Sequence, residues 1–149
     1  MDARSRYLTD RVMTATPAQR VVMLYDRLAL DIERSRECTD ALTAGPYLGH
    51  AALIVAELLS SLDHAAGGPA EDLAAIYGFL LTELTAIRAG GELGRLVPVV
   101  GIVGDLRDAF AHAAAATAGM ASTAAASAVT AATRTLSTGV PVTSTAWVG

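Results

Sequence analysis

At 149 residues the chain has room for one domain with a single core, and none for a second catalytic unit. Its eleven basic residues are all arginine, the net charge is -4 and the sequence pI is near 5.2, so the clustered cations that displace counterions from a nucleic acid are missing, which excludes DNA and RNA as partners. Apolar residues make up 52% of the chain and charged residues 17%; alanine inflates the first figure, yet charge this sparse leaves apolar surface available to bind something else.

The first sixteen residues mix Asp2, Arg4, Arg6, Asp10 and Arg11 without an apolar run, so they read as an N-terminal arm and not as a secretory signal, and a cytoplasmic location is expected. A helix is predicted to start at Thr16-Pro17-Ala18-Gln19, where Thr16 caps, Pro17 occupies the tolerated first helical position and Gln19 completes a capping box. Val21, Leu24, Tyr25, Leu28 and Ile32 then share one face, and Met23 and Leu30 widen its apolar arc. Cys38 is the only cysteine, so neither an intramolecular disulfide nor a C-x-x-C metal knuckle can form.

Ala44-Gly45-Pro46 reads as the stop of this helix and the start of the next, which runs from about Pro46 to Ala66. It carries two stripes, Ala51, Ile54, Val55, Leu58 and Leu62 on one and Leu48, Ala52 and Leu59 on the other, which implies contact on two sides. Gly67-Gly68-Pro69 breaks the chain, and Glu71 and Asp72 complement the dipole at the start of a third helix. That helix aligns Leu73, Ile76, Tyr77, Leu80, Leu84 and Ile87 and closes at Ala89-Gly90-Gly91, a left-handed cap signal. The fourth aligns Leu96, Val100, Val103, Leu106 and Phe110, with Pro98 in its first turn or at a kink.

Four amphipathic helices with short connections imply an all-α fold, an antiparallel up-down four-helix bundle over residues 1–110 with an arm at 1–15. Residues 111–149 form an Ala/Ser/Thr-rich extension, expected to be partly helical and then disordered from about Ser137. The uncharged run Ala109 to Thr133 is long enough to span a bilayer, but its small and hydroxylated residues insert poorly, and no membrane insertion is expected.

Chemistry is sought and not found. A di-iron bundle needs Glu-x-x-His pairs, whereas the residues three before His50, His64 and His112 are Tyr47, Ser61 and Ala109. No nucleophile elbow or phosphate loop occurs, so the chain reads as a binding protein and not an enzyme, with no cofactor and no metal. His50, early in its helix, leaves a histidine phosphotransfer module as an alternative, weakened because a phosphate wants a cation and the nearest arginine in sequence, Arg36, lies in the preceding helix.

Tyr7, Val12, Thr14-Ala15-Thr16-Pro17 and Met23-Leu24-Tyr25-Asp26 together resemble the signature of the flagellar secretion chaperones, the FliS family, in order and spacing. A looser likeness continues to Leu106-Arg107-Asp108-Ala109-Phe110; Ala86-Ile87 and Phe110 depart from the family's usual Ala-Asn and Trp. The resemblance implies a cytoplasmic export chaperone that binds the C-terminal segment of flagellin, prevents its premature polymerisation and aids delivery to the flagellar export apparatus. A helical adaptor of another secretion system is the other alternative, and a weak homodimer stays open. The candidate partner-binding residues are Tyr7, Val12, Val22, Met23, Tyr25, Leu48 and Leu59. Tyr7 would act as a displaceable cover on the client groove or as a staple ahead of the capped helix, and Met23, off the main stripe, would adapt to the client.

Overall fold

The computed structural model describes residues 2–63 and 68–138, with side chains over these ranges except those of Val12 and residues 118–138. Five α-helices account for nearly all of them: α1 (Ala3–Thr14), α2 (Pro17–Arg36), α3 (Ala41–Ser60), α4 (Gly68–Arg88) and α5 (Leu96–Thr138). No strand occurs among the described residues, so the expected all-helical bundle is the fold. Two units divide the chain, Met1–Ala111 and His112–Gly149.

The N-terminal arm is itself helical. Asp2 caps α1 by accepting a hydrogen bond from the Ser5 amide at 2.7 Å, and the described side chains from Asp2 to Thr14 are all exposed. The helix α2 begins on the capping box that its sequence announces: the Gln19 amide donates to Thr16 Oγ1 at 3.2 Å, and the Thr16 amide donates to Gln19 Oε1 at 2.9 Å.

The break between α2 and α3 falls earlier than the Gly45-Pro46 signal suggests. The first helix of the bundle ends at Arg36, and Asp40 caps α3 by accepting from the Thr43 amide at 2.8 Å and the Thr43 hydroxyl at 2.9 Å. These bonds, the amide's foremost, hold the Asp40 carboxyl below its ordinary range. Pro46 thus lies inside α3. Its missing amide frees the carbonyl of Leu42, a residue that is exposed to solvent, and the helix runs on. At the same end of the bundle α4 stops short of Gly90, whose φ of 114° favours a residue without Cβ, while the Gly91 amide donates back to the carbonyls of Ala86 and Ile87. A 3-10 turn at Leu93–Arg95 leads into α5, where Pro98 sits in the first turn without needing a partner for its nitrogen.

Packing follows the apolar stripes. Tyr25, Leu28 and Ile32 of α2, Leu48, Val55 and Leu58 of α3, Tyr77, Leu80, Leu84 and Ile87 of α4, and Leu96, Val99 and Val103 of α5 form one core. Polar groups register the helices around it. Tyr25 and Tyr77 share a hydrogen bond between their buried hydroxyls, and the Tyr25 ring stacks on Phe110 with centroids 5.3 Å apart. Across the seam of α2 and α3, Asp31 hydrogen-bonds His50 Nδ1 and the Arg34 guanidinium lies 6.0 Å from the Tyr47 ring, an antiparallel register. Across the seam of α2 and α5, Arg107 donates to Asp26 at 2.8 Å. In the second unit, residues 112–138 are helical; the tail expected from about Ser137 lies, from residue 139 on, outside the described residues.

Candidate functional site

The sequence-derived candidates separate once the helices pack. Tyr25 and Leu48 are fully buried and have no surface to offer a partner while the bundle is closed. Tyr25 is apolar on its ring and spends its hydroxyl on Tyr77, a partner 52 residues away. Val22, Met23 and Leu59 are half-buried, and Leu59 packs against the core. Tyr7 is 66% exposed on α1, which does not fit a staple packed ahead of α2. The side chain of Val12 lies outside the described residues.

A different set of apolar side chains faces solvent. Leu42 is 89% exposed and Leu53 69% exposed, both on α3. Eleven residues separate them, three helical turns, so they lie on one line about 16 Å apart with Gly45, Pro46 and Gly49 between. From Ala41 to Ala56 this helix contains no Asp, Glu or Arg. It is the described helix that is long and apolar enough to cross a membrane, and a third of that stretch is buried. In the fold it packs into the core through Leu48, Ala51, Ile54, Val55 and Leu58, which leaves the opposite face apolar. Arg88 of α4 lies over the stripe at Gly49, and Leu42 and Leu53 on either side of it stay open to solvent, the kind of apolar exposure that marks interaction surfaces.

One end of the stripe is shaped. An open hollow of about 470 Å³ lies at the Leu42 end, lined by the connection before α3 and the glycine-rich connection after α4, including Asp40, Gly90, Glu92 and Leu93. A smaller cleft of about 100 Å³ separates α2 from α5 at Ala29, Ile32, Val100 and Gly104. His50, the candidate for phosphotransfer, is half-exposed but commits Nδ1 to the buried Asp31, whose other oxygen lies 3.4 Å from Arg27 Nη2. That triplet links α2 to α3 and has an evident structural use. Among the described residues no cluster of His, Cys, Asp or Glu is arranged to hold a metal.

A helical bundle with an apolar helix face open to solvent presents the kind of surface that protein-binding modules use. Residues 1–117 match the family model described as flagellar protein FliS, which covers most of the chain, and the protein belongs to that family of flagellar export chaperones. No curated protein matches the chain. The family match ends at residue 117, within α5.

Proposed function

We propose that this protein is a cytoplasmic chaperone for flagellin: it binds the C-terminal segment of the unpolymerised subunit, blocks premature assembly, and hands the subunit to the flagellar export apparatus. The observation that carries the reading is the apolar stripe of α3 in a chain of this family, with Leu42 and Leu53 exposed at its ends. A segment that packs helically in a filament is amphipathic, and it lays its apolar side on such a stripe in the same way.

The energetics suit a transient complex. Burying two exposed leucines gains roughly 3–5 kcal/mol, and neighbouring small residues add contact area. Ordering an unfolded segment offsets much of what the whole interface gains, which keeps the client releasable. Catalysis has no part in this reading.

The test is a calorimetric titration of the protein with flagellin from the same genome, at tens of micromolar, alongside flagellin truncated of its C-terminal segment. Binding to the intact subunit and none to the truncated one is expected. Equal binding to both would remove the C-terminal segment as the client site, and binding to neither would remove flagellin.

A further inference from the structure

Along the α3 stripe, two turns from Leu42 and one from Leu53, an arginine lies on the helix. Arg88, in the last turn of α4, sits where Gly49 lacks a side chain: a Cβ built on Gly49 would meet the guanidinium Cζ at 3.2 Å, Nη1 at 3.4 Å and Nε at 3.5 Å. Three nearly equal distances mean that the guanidinium presents its flat face to Gly49. Its N–H donors lie in the plane of the group, so a face-on seat leaves the whole fork directed sideways and outward.

None of those donors is used among the described residues. Arg88 is exposed and, like Arg20 of α2 and the arginines of α1, makes no ion pair or side-chain hydrogen bond among the described residues; unlike them it lies against an apolar helix face. The helix beneath it carries no carboxylate from Ala41 to Ala56. A glycine inside a helix lowers helix stability relative to alanine, and here the missing Cβ is what lets a cation lie down between Leu42 and Leu53.

From this we infer that Arg88 is the specificity-determining residue of the α3 face: it selects a client helix carrying a carboxylate between the apolar side chains that meet Leu42 and Leu53. The inference rests on the docking reading above and adds to it the client's chemistry. Arginine's planar fork takes a carboxylate in two parallel hydrogen bonds, and an unpaired cation in an apolar stripe rejects a partner that offers lysine or arginine at that point. The two leucines supply area, and Arg88 fixes register and charge.

The experiment uses the full chain and, as probe, the C-terminal segment of flagellin from the same genome, titrated by calorimetry at low and high salt. Arg88→Met should weaken binding about tenfold, the scale of one charge-assisted bidentate contact, and flatten its salt dependence. Arg88→Lys should keep the salt dependence without recovering the affinity, because an ammonium lacks the fork. Thermal melts of the two Arg88 variants should match the wild type, since Arg88 is exposed. If Arg88→Met binds with unchanged affinity and salt dependence while Leu53→Ser weakens binding, the assignment of Arg88 is overturned and the docking face stands. If the wild-type chain does not bind the segment, both fall.

Discussion

Replacing Tyr25 by phenylalanine removes one oxygen from the middle of the core and leaves everything else in place. The ring keeps its stack on Phe110, so the loss is confined to the hydroxyl pair. Tyr77 is then left with a buried hydroxyl and no partner, which costs about 1–3 kcal/mol, and Tyr77→Phe has the same consequence for Tyr25. The double variant removes both polar groups together and should lose much less than the sum, a coupling of about 1–2 kcal/mol in the cycle. For a bundle of this size a single variant should lower Tm by roughly 5–10 °C. Urea unfolding followed by far-UV circular dichroism measures all four corners. Alkali provides a second readout. Burial, foremost, holds both phenols above their ordinary 10.0, and the bond to Tyr77 raises Tyr25 further. The folded state therefore keeps these protons when the unfolded chain has lost them: stability is intact below pH 10 and falls as pH rises beyond it. The double phenylalanine variant should show a flatter alkaline limb. Additive single losses, or single variants as stable as the wild type, would refute the claim that the pair acts as a unit.

Other expectations follow from the same contacts. Thr16→Ala removes the capping box of α2 and should cost about 1 kcal/mol in urea unfolding. Gly90→Ala forces a Cβ into a left-handed backbone position and should cost about 1–2 kcal/mol. Leu42→Ser with Leu53→Ser should change stability by no more than about 0.5 kcal/mol, since both side chains are exposed, yet abolish capture of flagellin in a calorimetric titration.

Local signals were the readable ones. Thr16-Pro17-Ala18-Gln19 announces the start of α2 because a capping box is made by neighbours in sequence, and Gly90 announces the end of α4 because only backbone conformation is at stake. The stripes through Leu28, Leu80 and Leu84 identify the core by helical spacing alone. The Gly45-Pro46 pair misled, because a proline in the second turn of a capped helix costs little when the residue whose carbonyl it abandons is exposed to solvent. That error hides the candidate site: with a start at Pro46, Leu42 falls outside the helix and its alignment with Leu53 cannot be seen. Pairings across helices were beyond reach. Tyr25 and Tyr77 each read as members of an apolar stripe, but the bond between their hydroxyls is set only by packing, and neither Gly49 nor Arg88 carries a signal until α4 lays one on the other. Which face of an all-round apolar helix stays open is decided by its neighbours, not by its own periodicity.

The central claim is that the outer stripe of α3 receives the client. Its most direct test is a methyl NMR titration of leucine-labelled protein with the C-terminal segment of flagellin. The account predicts large shifts at Leu42 and Leu53, with the core methyls of Leu80 and Leu84 left near their free positions. Saturating segment with Leu42 and Leu53 unmoved, and shifts confined to other helices, would contradict it.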